Sequence, residues 1–103
     1  MYQDCPVKLK MKRLFLNDSL FDENVHNCKI IQYNSEEENI YLLAGKTELT
    51  MFSLDAEYEC EISTEEGEVK CVGTLIERYL SKMGKVLVFH VHNGFYKKLV
   101  NER

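Results

Sequence analysis

No stretch of this chain is apolar for the roughly 20 residues that a membrane-crossing helix needs, and Met1–Lys12 hold no apolar core of a secretory leader. The expectation is therefore no membrane span and a cytoplasmic location. The cysteines Cys5, Cys28, Cys60 and Cys71 form no Cys-x-x-Cys pair, so the usual zinc spacing is missing. Positive charge is not in excess. The formal net charge of −4 makes general nucleic-acid binding a poor expectation. There is no Gly-rich phosphate loop, no His-Glu-x-x-His and no nucleophile elbow. The acids at 36–38 and 65–68 fall in turn-like segments and not in a cleft that could hold an acid/base pair. Neither a catalytic site nor a cofactor is expected. No repeat, low-complexity linker or heptad interrupts the chain.

What is present reads as one globular domain over 1–103, with 45% hydrophobic and 11% aromatic residues. Its organising stretch runs from Glu57 to Lys98. Three turn signals cut it: Glu65-Glu66-Gly67, Lys82-Met83-Gly84 and Asn93-Gly94. Between them lie runs rich in Val, Ile, Tyr, Phe and Cys with partial period-2 alternation, the pattern of strands joined by hairpins. The spacing predicts a four-stranded antiparallel meander over 57–63, 68–80, 85–92 and 95–100.

Burial also predicts a register. If Thr64–Gly67 forms the first turn, Ile62 faces Val69, Glu61 faces Lys70, Cys60 faces Cys71 and Tyr58 faces Gly73. Apolar residues then share one face, and Glu57, Glu59, Glu61 and Lys70 share the other; a slip of one residue would destroy that sorting. Asn93-Gly94 suits a two-residue type I′ turn and predicts a last hairpin pairing His92 with Phe95, Val91 with Tyr96 and His90 with Lys97. Val86–Phe89 is apolar on both sides, as in a central strand or a barrel wall.

Upstream, Val7, Leu9 and Met11 alternate with Lys8, Lys10 and Lys12, predicting a strand with its apolar side inward. The lysines, with Arg13, read as the blunted edge of a sheet facing the Glu57–Glu61 acids, or as an anion patch. Asn17-Asp18-Ser19 reads as a turn, and Ser19–Asn24 as a loop or helical turn. Val25–Tyr33 returns as a strand whose imperfect alternation predicts a bulge or irregular start. A polar turn and a short strand, Ile40–Ala44, follow. Leu49, Met51, Phe52 and Leu54 suit a short strand or one helical turn over a barrel end. The long strand 68–80 is expected to bend at Gly73 so as to serve both halves of a barrel. The fold class is therefore all-β, a small antiparallel six- to seven-stranded (split) barrel with at most one short helix.

Cys60 and Cys71, placed opposite one another, read as reduced buried thiols, with a redox-sensitive disulfide as the alternative. His90 and His92 share one face of a strand but lack a third ligand, and read as solvent-facing side chains.

The run Leu49–Lys98 resembles the N-terminal barrel of PilZ-type bacterial proteins, the flagellar-brake family. The matching features are an apolar strand, the Tyr58-x-Cys60-x-Ile62 strand, a Gly-containing strand ending in Glu77-Arg78-Tyr79, the apolar Val86–Phe89 strand and the closing Asn93-Gly94-Phe95-Tyr96-Lys97-Lys98. The resemblance implies a non-catalytic split-barrel module of cyclic di-GMP signalling, cytoplasmic and bacterial. Its partner would be another protein or an adjacent PilZ domain. A PilZ ligand site has Arg-x-x-x-Arg and then Asp/Asn-x-Ser-x-x-Gly. Here Lys8 and Lys12 stand for the arginines, and Asn17 and Ser19 are followed by Asp22 in place of Gly. Lysine lacks the planar bidentate contacts of a guanidinium, so cyclic di-GMP is expected to act only indirectly. The expected contact surface is Lys8, Lys10, Lys12 and Arg13 with Asn17 and Ser19, joined by Lys97, Lys98 and Arg103 at the closing end. Alternatives are a degenerate stand-alone PilZ receptor, or a flavin-type split barrel with Tyr79, Phe89, Phe95 and Tyr96 as a stacking wall.

Overall fold

The computed structural model describes residues 2–15 and 21–92, and the backbone of 96–98. Seven strands follow in order: β1 (Pro6–Leu14), β2 (Val25–Asn34), β3 (Asn39–Ala44), β4 (Ala56–Thr64), β5 (Gly67–Ser81), β6 (Gly84–Val91) and β7 (Tyr96–Lys98). Among the described residues the only helical piece is a 3₁₀ turn, Leu49–Met51. Six strands close an all-antiparallel barrel in the order β1-β2-β3-β6-β5-β4, with β4 returning to β1.

Alternation builds the interior. Val7, Leu9 and Met11 on β1 point inward and are buried, while Lys8, Lys10 and Lys12 are exposed. On β4 and β5 the pairs Ile62–Val69, Cys60–Cys71 and Tyr58–Gly73 lie directly opposite, in the register that burial predicts. On β2 the inward positions are His26, Cys28 and Ile30, with Val25 outside. The irregular start expected there is a histidine occupying a core position. The bulge lies further along, between Ile30 and Gln32.

Two hairpin turns use one device. Thr64 Oγ1 accepts the Glu66 N–H (3.2 Å) and donates to Gly67 O (2.6 Å). Ser81 Oγ accepts the Met83 N–H (3.1 Å) and donates to Gly84 O (3.2 Å). Both glycines sit at φ 128°, where a Cβ would be strained, which is why Glu-Glu-Gly and Lys-Met-Gly read as turns in the sequence.

β5 does double duty. It pairs with β4 from Gly67 to Thr74 and with β6 from Gly73 to Ser81, so the change of partner falls at Gly73. A bulge between Leu75 and Glu77 adds to the bend. All four residues of Val86–Phe89 are buried. Leu87 and Phe89 face the interior. Val86 and Val88 face outward, flanked by Leu43 and Tyr41 on β3, with Tyr79 on β5 also opposite Val86.

Two expectations are overturned. β1 is not a sheet edge, because it pairs with β2 on one side and with β4 on the other, so closure gives its lysines neighbours across both seams. Nor does the last hairpin form. β6 already has β3 on one edge and β5 on the other, so Val91 pairs with Gly73, and His90 with Asn39 and Thr74. β7 continues along β5 in the same direction as β6, with Tyr96 opposite Lys70, Lys97 opposite Val69 and Lys98 opposite Glu68. Asn93-Gly94 and Phe95 themselves lie outside the described residues.

Candidate functional site

One mouth of the barrel is concave. A cleft of about 770 Å³ opens where the end of β1, the segment before β2 and the 49–55 loop meet. A smaller basin of about 480 Å³ adjoins it, and Phe21 lines both. The main cleft is walled by Leu14, Phe21, Met51, Phe52 and Leu54, with Asp22, Glu23, Asp55 and Arg78 as its charged members. Phe52 is buried in the core, whereas Phe21, Met51 and Leu54 are exposed. The 49–54 segment caps a barrel end, one of the two forms expected of it.

Asp22, His26 and Arg78 hold the mouth together. His26, buried on β2, bridges two loops: Nε2 is hydrogen-bonded to Asp22 Oδ2 (2.6 Å) and Nδ1 to Thr47 Oγ1 (2.9 Å). Its ring meets Phe52 edge-on at 4.9 Å between centroids. Desolvation of Asp22, its largest single influence, raises its pKa, but the His26 and Asn24 hydrogen bonds and the His26 charge together outweigh this, so the carboxyl titrates below the ordinary value. Asp22–His26–Thr47 has the connectivity of a catalytic triad. The cleft, however, is lined by Asp22 and by neither His26 nor Thr47, which places the hydroxyl away from the concave surface. Arg78 lies opposite inward-facing Leu87 and donates from Nη1 to the Phe52 carbonyl and to Leu49 O (3.3 Å).

The residues expected from the sequence are spread more widely. Lys8 and Lys10 lie outside the barrel, opposite Glu61 and Glu59 on β4. Lys70 lies within 4 Å of both acids (3.7 Å to Glu61, 3.8 Å to Glu59). Lys12 sits at the β1 bulge and lines the smaller basin with Lys10, Glu23 and Glu59, so two cations face two carboxylates there. Arg13 pairs with Glu57 at 3.5 Å and lies 5.6 Å from the Phe15 ring centre. Lys97 and Lys98 are on β7, separated from β1 by β4 and β5. Asn17, Ser19 and Arg103 lie outside the described residues. The flavin-type wall does not assemble, because Phe89 points into the core while Tyr79 faces outward beside Val86. The side chains of Phe95 and Tyr96 are outside the described residues.

His90 Nδ1 is hydrogen-bonded to Asn39 Oδ1 (2.8 Å). His92 is exposed, with Nε2 at 3.3 Å from Thr74 Oγ1 and Nδ1 at 3.7 Å from Glu57 Oε2. Among the described residues no three His, Cys, Asp or Glu side chains converge as a metal site.

All four cysteines are free thiols. Burial pushes Cys28 up to about 12 despite the Gly45 backbone hydrogen bond that opposes it. A hydrogen bond with Cys71, together with burial, pushes the Cys60 thiol well above its usual range. Thiolate is the reactive form. In the native chain at about pH 8 a thiol reagent should therefore modify only half-buried Cys5; in denaturant without reductant it should modify all four. A shortfall in denaturant would show that a disulfide forms.

The residues that build the mouth were only partly legible in the sequence. His26 carried a signal, since it occupies the inward position two before Cys28 and four before Ile30. Phe21 and Asp22 carried none, because their partners lie far away in sequence. Neither a family model, nor a curated protein, nor a solved structure matches the chain.

Proposed function

We propose that the chain is a non-catalytic interaction module that receives an apolar group of a protein partner in the mouth cleft. One observation carries this reading: around the cleft the apolar side chains Phe21, Met51 and Leu54 are exposed, while Asp22 and Arg78 are held by bonds within the fold. A concave wall with exposed apolar side chains, whose Asp22 and Arg78 are already bonded, favours docking over proton transfer. The resemblance to PilZ N-terminal barrels supports the same reading. It supplies the expected setting, a cytoplasmic bacterial signalling protein in which cyclic di-GMP acts through a partner or an adjacent domain.

Two titrations test the proposal. The apolar dye anilinonaphthalene sulfonate should brighten on binding the folded chain, and Met51→Asp with Leu54→Asp should abolish the effect while circular dichroism stays unchanged. No brightening of the wild-type chain would remove the docking surface. Cyclic di-GMP titrated into the chain should give no heat, because Lys8 faces Glu61 and Lys12 shares its basin with Glu23 and Glu59. Binding with a Kd of about 1 μM would revive a nucleotide site of its own.

A further inference from the structure

The outer half of β5 is built unlike the inner half. Ile76 to Ser81 are all exposed, whereas Val69, Cys71, Val72, Gly73 and Leu75 are buried. On one edge this segment pairs with β6. On the other, the β4 ladder ends at Thr74, and among the described residues no backbone hydrogen bond reaches 76–81 from any other element. Among the described residues the segment is therefore a bare strand edge flanked by large apolar side chains: Ile76 is 51% exposed, Tyr79 38% and Leu80 74%, and Met83 at the hairpin tip is 62% exposed. Folded chains generally blunt such edges with lysine, proline or a covering element, because an unpaired row of N–H and C=O groups recruits another strand. The lysines of the hairpin are Lys82, in the turn just past the end of the segment, and Lys85, on β6.

We infer that this edge pairs with the same edge of a second copy of the chain, antiparallel about a two-fold axis at Tyr79. Such an axis places one residue opposite its own copy. With the axis at Glu77 or Arg78, that residue meets its own charge. With it at Leu80, Arg78 falls opposite the partner's Lys82. Of the axes that pair more than one residue of 76–81, only the one at Tyr79 puts no like charges directly opposite: tyrosine meets tyrosine, Arg78 meets the partner's Leu80 and Glu77 meets the partner's Ser81. Like charges directly opposite destabilise a strand pair, and aromatic pairs strengthen one. The union continues the sheet β3-β6-β5 of one copy into β5-β6-β3 of the other. It makes no use of the mouth cleft as a receptor, so it stands or falls independently of the docking proposal.

Sedimentation equilibrium of the full chain should show a concentration-dependent dimer. Tyr79→Lys, a change at an exposed position, should raise the dimer dissociation constant by about tenfold or more while the monomer stays folded by circular dichroism. In a Cys5→Ser background, oxidised glutathione should link Tyr79→Cys chains into a covalent dimer and leave Glu77→Cys chains unlinked, because only the residue on the axis faces itself. A wild-type chain that stays monomeric up to about 1 mM, leaving the edge to a strand of some other protein, would overturn the inference. So would a Tyr79→Lys dimer as tight as wild type, or linking at Glu77→Cys but not at Tyr79→Cys.

Discussion

Gly73→Val leaves the chain unable to hold its barrel. A Cβ at this position would lie 2.0 Å from the His90 carbonyl oxygen, 2.9 Å from its carbon and 3.0 Å from Phe89 Cε2. The obstacle is the backbone of β6, which is hydrogen-bonded to β3 and β5 at the same time and has no slack to give. Relief of the clash requires breaking one ladder or unbending β5, which would separate its β4-paired half from its β6-paired half. The expected cost is about 4 kcal/mol or more, the range in which a core substitution becomes exceptional. Domains of this kind hold only about 5–15 kcal/mol in total. Even Gly73→Ala should lower the urea midpoint sharply, whereas Gly84→Ala, with the strain of its positive φ and a 3.3 Å contact to the flexible Leu43 side chain but no backbone in its way, should lose less. A Gly73→Ala chain within about 1 kcal/mol of wild type would disprove this account of the bend.

Tyr58→Ala should cost about 3–5 kcal/mol, the range for removing a large buried ring. Tyr58 is the largest fully buried side chain. It stands opposite Gly73 on one side and Met11 on the other, so the ring fills space that the glycine leaves beside it. Its hydroxyl oxygen accepts the Ser53 N–H at 3.0 Å, tying the loop before β4 to the core. Tyr58→Phe keeps the packing and strands that donor, for about 1–2 kcal/mol. The phenol also carries a pH signature. Burial, its largest influence, raises its pKa above the ordinary 10.0, against the opposing effects of the Ser53 hydrogen bond and Arg78. A group whose folded pKa is raised contributes fully below the unfolded value and loses that contribution as the pH climbs through the folded one. Alkaline destabilisation should therefore begin near pH 10 and be partly relieved in Tyr58→Phe. Urea melts of the two variants at neutral and alkaline pH check both effects.

The parts of this fold that could be read from the sequence are local ones. The β4–β5 register followed from alternating burial on two strands separated by one turn, and the bend from a single glycine in a long strand. β1 was readable as a strand but not as an interior member of a ring. Its pairing with β4 joins Val7 to Ile62, and no short-range pattern carries that information. The misreading of Asn93-Gly94 has the same origin. Its local chemistry favours a reversal, but β6 had no free edge left to accept one, so closure overrode propensity. At the mouth, Arg78 was visible within the Glu77-Arg78-Tyr79 run, yet its targets, the carbonyls of Leu49 and Phe52, belong to a loop whose course depends on packing. The facing of the lysine ladder by the Glu57–Glu61 acids was legible from charge alternation on the two strands, and Lys8 and Lys10 do lie opposite Glu61 and Glu59.

The seam between β1 and β4 also has a bearing on how the protein is made. Synthesis delivers β1 first and β2 soon after, but the other neighbour of β1 does not exist until Ile62 has left the ribosome, and β3 waits longer still for β6. Through most of translation the emerging half-barrel presents two raw margins to the surrounding medium. A chaperone that shields extended segments, or slow decoding around the Thr64–Gly67 corner, would change the yield of folded chains without altering the finished molecule.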